Sequence, residues 1–222
     1  MNSSDLANSL CSPVLSSIPQ LDPPVRLGVM ASGSGSNFEA IAQAIRDRRL
    51  NAQIQVVIYN NPEAKVVERA KRFNVPAVLL NHRDFESREE LDRAIVKTLK
   101  HHNIEWLVMA GWMRIVTPVL LNAFPGRVLN IHPSLLPSFK GNRAVEQALA
   151  AGVKITGCTV HLVVPEVDSG EIIMQAAVPV LPSDTAETLQ NRIHIQEHVV
   201  YPCAIALAAH NRQGELKDES SS

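Results

Sequence analysis

From Val25 onward the chain alternates short apolar runs with longer stretches whose apolar residues recur every three or four positions. The first run, RLGVMAS at 26–32, gives way to the small polar turn GSGSN at 33–37. FEAIAQAIRDRR at 38–49 then has the spacing of a helix. IQVVIYN at 54–60 predicts a second strand, and Pro62 fits the first turn of a helix over EAKVVERAKRF. PAVLL at 76–80 predicts a third strand, ESREELDRAIVKTLKHH at 86–102 a long amphipathic helix, and IEWLVMAG at 104–111 a fourth strand. Strands alternating with helices of this length predict an α/β fold of three layers, αβα, around a mostly parallel central sheet.

Past residue 110 the rhythm changes. A short helix near TPVLLNAF precedes the strand VLNIH, a proline-bearing loop, and a helix at 143–152. ITGCTVHLVV (155–164) and EIIMQAAVPVL (171–181) are joined only by PEVDSG. That link is too short for a crossover helix, so the pair predicts antiparallel C-terminal strands added to the sheet. Residues 185–210 read mostly as helix. Residues 1–24, polar and dotted with proline, predict a disordered tail, and 211–222 a hydrophilic one with room for a short edge strand. A single domain over 25–210 is expected, since 222 residues suffice for one full core.

Composition narrows the function classes. With 45% hydrophobic and 19% charged residues and a formal net charge of -1, there is no electrostatic case for nucleic acid or membrane surfaces. Three cysteines without CxxC spacing argue against a disulfide framework or a cysteine-rich zinc site and fit a reducing cytoplasm. The N-terminal residues lack the basic start and apolar run of a signal peptide.

Three stretches carry candidate chemistry. GSGSN follows a strand and opens a helix, so its backbone N–H groups suit an anion; without a full GxGxxG or a Walker lysine, a phosphate monoester fits better than a dinucleotide. An ordinary tight turn reads equally simply. In GRVLNIHPSLLPSF, Asn130 and His132 share one face at a strand's carboxyl end. The amide suits an oxyanion and the imidazole a proton, although a capped turn and a packed histidine account for the same letters. In VPEVDSGEIIMQ, Asp168 is either part of an Asp–Gly turn or a carboxylate placed to hold a histidine protonated or to take a proton from an attacking amine. His161 invites a metal reading with His132 and Asp168, but no HExxH or clustered spacing supports one, so no metal is expected. Trp112 and Arg114 in MAGWMRIV suit either a conjugated ligand or a packed corner.

Taken in order, GSGSN, MAGWMRI, GRVLNIHPSLLPSF and HLVVPEVDSGEIIMQ resemble the phosphoribosylglycinamide formyltransferases, folate-dependent enzymes of purine synthesis. The likeness runs from about Arg26 to His210. It implies a Rossmann-like formyltransferase fold, with 25–110 as the phosphoribosyl-substrate half and 111–210 as the catalytic and folate half. It also implies a catalytic trio of Asn130, His132 and Asp168, and substrate contacts from Gly35, Ser36, Asn37, Arg88 and Glu197. Met113, Arg114, Ile115 and Val116, with Asn130, would contact the co-substrate 10-formyltetrahydrofolate. The implied partners are small molecules, with the protein itself a monomer or homodimer. Two departures stand out: Lys140 in LLPSFKG, where many relatives have proline, and Val116 where leucine is frequent.

Two relatives share the trio. Formyltetrahydrofolate deformylase uses water as acceptor and carries an additional N-terminal domain. Methionyl-tRNA formyltransferase requires a basic C-terminal domain. Neither extension is expected from the 24 tail-like residues before the first strand or the end soon after His210. A non-catalytic folate- or nucleotide-binding module would be signalled by loss of a trio residue, and all three are present.

Overall fold

The computed structural model describes residues 10–220. Strands β1 (Cys11–Ser12), β2 (Val25–Ala31), β3 (Ala52–Tyr59), β4 (Ala77–Leu79), β5 (Trp106–Met109), β6 (Val128–His132), β7 (Ile155–Leu162) and β8 (Ile172–Pro179) form one sheet. Their order is β1-β8-β7-β6-β5-β2-β3-β4. From β4 to β6 all neighbours are parallel, whereas β6/β7, β7/β8 and β8/β1 are antiparallel. The expected parallel sheet with antiparallel C-terminal strands is therefore present.

Alternate strand residues enter two cores. Val25, Leu27, Val29 and Ala31 of β2 pack with helices α1 (Ser36–Arg46), α2 (Val66–Arg72) and α6 (Ala186–Ser220). Met30, with Val56 and Ile58 of β3, packs with α3 (Arg88–His101) and α4 (Pro118–Ala123) on the other face. Fully buried side chains such as Leu27, Ile41, Ile58 and Ile95 each contribute about 2 kcal/mol of burial. Tyr201 of α6 is wholly buried, and its hydroxyl lies 3.0 Å from the Met109 carbonyl and 3.2 Å from that of Leu129. The one phenolic proton thus bridges the end of β5 and the body of β6. A further short helix, α5 (Ala144–Ala150), follows the β6 loop.

Three expectations need correction. Residues 1–9 of the supposed tail lie outside the described residues, but 10–24 are anchored at two points, Cys11 and Leu21. Cys11 and Ser12 pair with Ala176 and Gln175 of β8, and Leu21 is fully buried with its carbonyl held by Asn51 at 2.6 Å. A two-residue strand and one lone apolar anchor leave no periodic signal. Pro62 sits in a turn before α2 rather than in its first turn. Beyond residue 210, α6 continues through Ser220 where a short edge strand had been considered. Among the described residues no helix is long and apolar enough to cross a membrane.

The topology fixes where a ligand fits. From β2 the chain moves to β3 and β4 on one side and returns to β5 on the other. The loops leaving β2 and β5 therefore diverge at their carboxyl ends, which opens a crevice.

Candidate active site

Within β6, Leu129 and Ile131 enter the core beneath α6, which turns Asn130 and His132 to the opposite face. Pro133 ends the strand because it has no N–H to continue the ladder. The following loop folds back with Phe139, Gly141 and Arg143 at positive φ, and the Phe139 carbonyl accepts the His132 Nε2–H at 2.8 Å. His132 Nδ1 lies 3.3 Å from Asp168 Oδ2. A carbonyl and a carboxylate only accept, so a ring with a proton on each nitrogen satisfies both. Both side chains are buried, at 7% and 8% exposure.

Asp168 reaches this point by an unusual backbone. Its own φ is 50°, a region that aspartate tolerates better than most residues. At Gly170 an added Cβ would lie 1.8 Å from the Leu162 carbonyl oxygen, so only glycine permits the loop to turn back there. Asp168 Oδ2 also accepts the Gly141 N–H at 2.8 Å. Lys140 Nζ donates to Ser169 Oγ at 2.5 Å and lies 3.8 Å from Glu166, so the departure at position 140 ties the two loops together. Burial pushes the Asp168 carboxyl up. The hydrogen bond from His161, the Gly141 N–H and the charges of both histidines outweigh it, and the pKa settles below the ordinary carboxyl value.

His161 was set aside with the metal reading, yet it belongs to this cluster. It stands directly opposite Asn130 in the β6/β7 pair and is 2% exposed. Its Nδ1 donates to the Leu162 carbonyl at 2.8 Å, so in the neutral ring Nε2 is the acceptor and takes an N–H from Asn130 at 3.2 Å. The charged ring instead turns Nε2–H toward Asp168 Oδ1, 3.6 Å away. In the neutral state, Asn130 Nδ2 keeps its second N–H for a ligand. Finding this role from sequence requires the strand register, which the letters alone do not carry. Among the described residues, no three His, Cys, Asp or Glu side chains are grouped to hold a metal ion.

The GSGSN turn lies across the crevice. Gly35 precedes α1 at φ 73°, and an added Cβ would sit 2.6–2.9 Å from Val66, including its Cα. Ser36 and Asn37 form the first turn of α1, whose N-terminus has no side-chain cap, so its leading N–H groups are open to an anion. Asn37 Nδ2 donates to Glu197 Oε2 at 2.8 Å, while its buried Oδ1 has no partner among the described residues. Burial pushes the Glu197 carboxyl above its usual value, and Asn37 and His194 offset this only in part.

A cleft of about 720 Å³ joins these groups. Asn37, Glu197, Asn130, His132 and Asp168 line it together, with Arg88 and the 113–116 segment on the far side. Gly35 and Ser36 shape the α1 entry without lining the cleft. Arg88 is the first residue of α3, where a cation opposes the helix dipole; Glu89 and Glu90 beside it compensate. Met113 and Ile115 are 74% and 53% exposed, whereas Trp112 and Val116 are buried. Arg88 and Arg114 through Val116 also border a second cleft of about 680 Å³. The structure thus brings the trio, Asn37, Glu197, Arg88 and the 113–116 segment around one space.

A formyl transferase domain model matches residues 25–205. Phosphoribosylglycinamide formyltransferase of Bacillus subtilis is 42% identical over 191 residues, 86% of this chain and 98% of that protein. The human trifunctional purine biosynthetic protein adenosine-3 is 44% identical over 184 residues, 83% of this chain but only 18% of its own length. The chain thus spans about a fifth of that relative. Among solved structures, glycinamide ribonucleotide transformylase 1 of Symbiobacterium toebii superposes with a TM-score of 0.84 at 46% identity, covering 89% of this chain and 94% of that one. The Bacillus halodurans phosphoribosylglycinamide formyltransferase gives 0.79 at 44%, covering 82% and 93%. With the family model matching residues 25–205 and a solved transformylase sharing the fold over 89% of this chain, the chain belongs to the formyl transferase family.

Proposed function

We propose that this protein transfers the formyl group of 10-formyltetrahydrofolate to the amine of N1-(5-phospho-D-ribosyl)glycinamide, the reaction named for its Bacillus subtilis relative. The observation that carries the reading is the convergence of Asn130, His132 and Asp168 on a cleft that also reaches Asn37 in the uncapped first turn of α1. The phosphate end of the ribonucleotide fits the Gly35–Asn37 turn. The unpartnered Asn37 Oδ1 and the Glu197 carboxyl suit its hydroxyl or amine donors. The folate suits the wall with exposed Met113 and Ile115, and its anionic end suits Arg114 together with Arg88, which the resemblance assigns to the ribonucleotide but which lines the cleft beside the 113–116 segment. The site is a small-molecule one, and the proposed setting is the cytoplasm.

The amine nitrogen attacks the formyl carbon, and the carbonyl electron pair moves onto oxygen. Asn130 offers that oxygen its spare N–H, and His132 its positive charge. Both His132 nitrogens are engaged here, so Nε2–H reaches the oxyanion only when the loop bearing Phe139 releases it. The lowered pKa of Asp168 makes it a weak base. Its main work is to hold His132 charged and to orient a water that takes the amine proton. Collapse re-forms the carbonyl and breaks the bond between the formyl carbon and the folate nitrogen, which receives a proton.

The test is tetrahydrofolate release from 10-formyltetrahydrofolate, with and without the ribonucleotide, beside His132→Ala. Turnover that requires the amine and falls about a hundredfold or more in the variant is expected. Turnover without the amine would make the protein a deformylase, and folate binding without turnover in either condition would make it a binding module.

A further inference from the structure

Among the described residues, the backbone of the segment that presents Met113 to Val116 is hydrogen-bonded only at its two ends, while the buried Val116 side chain packs into the core below it. At its start, Met113 N–H donates to Ser32 Oγ at 2.9 Å, and Ser32 N–H donates to the Gly111 carbonyl at 3.0 Å. At its end, Thr117 N–H donates to Asp92 Oδ2 at 2.6 Å. Between these pins, the peptide groups of Arg114, Ile115 and Val116 have no hydrogen-bond partner among the described residues. They face the two clefts and are available to a ligand.

Asp92 lies one helical turn after Arg88 on α3, and it is 2% exposed. Burial pushes its carboxyl up, the Thr117 N–H and hydroxyl pull it down, and the Glu89 charge adds to the rise, so the net value stays above normal. A carboxyl shifted this way lowers fold stability when it is ionised at neutral pH. Its return lies elsewhere. The same group fixes the N-terminal end of α4, where Thr117 Oγ1 accepts the Val119 N–H, and the C-terminal end of the 113–116 segment.

Resting on the formyltransferase reading above, we infer that Asp92 is a positioning residue for the folate. It locks the backbone of residues 113–116 against α3, so that their open peptide groups and Arg88 meet one ligand in fixed register. It touches neither substrate itself and acts through Thr117.

The experiment compares wild type, Asp92→Ala and Asp92→Asn by calorimetric binding of tetrahydrofolate and, separately, of the ribonucleotide, with hydrogen exchange of residues 112–117 in the ligand-free proteins. Asp92→Ala is expected to weaken tetrahydrofolate about tenfold while the ribonucleotide changes less than twofold. Exchange should rise in 112–117 and not across the sheet. Asparagine still accepts the Thr117 N–H, so Asp92→Asn should recover most of the folate affinity. Equal weakening of both ligands, or unchanged exchange in 112–117, would reduce Asp92 to a general stabiliser and overturn the inference. If Asp92→Ala does not fold, Asp92→Asn carries the test: a folate Kd within twofold is expected, with exchange close to wild type, and a loss above tenfold overturns the inference. A wild type that binds no tetrahydrofolate would instead defeat the formyltransferase reading, and the exchange result would still decide whether Asp92 pins the loop.

Discussion

Replacing Asp168 with asparagine removes one negative charge that faces two imidazoles and keeps the side-chain volume. The carboxylate lies 3.3 Å from His132 Nδ1, 3.6 Å from His161 Nε2 and 2.8 Å from the Gly141 N–H. Its side chain is 8% exposed, so solvent screens little of this. Deleting one partner of a buried ion pair outright costs about 3–5 kcal/mol, but asparagine keeps a polar acceptor beside both rings and loses only the charge. The loss in stability therefore falls nearer the about 1.5–3 kcal/mol of a charged hydrogen bond. The carboxyl holds its proton less tightly in the folded than in the unfolded chain, so its contribution is fully present above about pH 4. It disappears as pH falls through the lower folded value. Urea unfolding of wild type and Asp168→Asn, run from pH 7 downward, should thus show a gap that closes in acid. At neutral pH kcat should fall by about a hundred- to a thousandfold, because in the proposed mechanism His132 loses the carboxylate that supports it at the oxyanion. A gap of constant size at every pH, or a kcat within threefold of wild type, would refute the reasoning.

Gly35→Ala should lower stability by about 2 kcal/mol or more in thermal unfolding and weaken the ribonucleotide more than the folate, because φ 73° and the Val66 backbone both oppose a side chain. Tyr201→Phe leaves the Met109 and Leu129 carbonyls without their buried donor, and urea unfolding should register about 1–2 kcal/mol. Replacing Cys11, Cys158 and Cys203 together with alanine should leave kcat intact, as none lies in the cleft, but the three thiols are buried in the core under α6, so the melting temperature should drop. Burial pushes the Cys158 and Cys203 thiols up, the latter to about 11, so a thiol-reactive probe should label neither in the native protein near neutral pH.

The parallel part of the sheet was legible because its central strands β2 and β5 are buried on both faces and the helices keep apolar stripes. The two polar groups at the end of β6 were legible for the opposite reason: Asn130 and His132 break an apolar run where a ligand crevice opens. What stayed hidden depends on contacts between distant segments. Leu21 reads as one apolar residue among prolines, and only the sheet shows that it is an anchor. Asp92 reads as one more charge on an amphipathic helix, and only the loop 25 residues onward gives it a partner. His161 looked like a stray metal ligand because its neighbour Asn130 is set by antiparallel register, which a shift of one residue would reverse.

That register also explains why the carboxylate of the trio cannot come from a strand end. β7 runs antiparallel to β6, so its own end, Leu162, lies beside Leu129, and Val163 N–H reaches the Val128 carbonyl at 2.8 Å. A residue placed directly after β7 would face the wrong end of β6, away from His132. Residues 163–171 therefore fold back over the sheet, closing where Leu162 N–H meets the Glu171 carbonyl at 2.8 Å. The return depends on Gly170, whose missing Cβ admits the Leu162 carbonyl, and on the left-handed backbone of Asp168. The ion pair with His132 thus rests on two conformations that most residues resist. Loop 133–143 completes it, for Gly141 gives its N–H to the same carboxylate oxygen that faces His132. Through its Phe139 carbonyl and its Gly141 N–H, this one loop engages both His132 Nε2–H and the carboxylate that faces the same ring, so in the proposed mechanism a shift that freed the donor would also act on its partner.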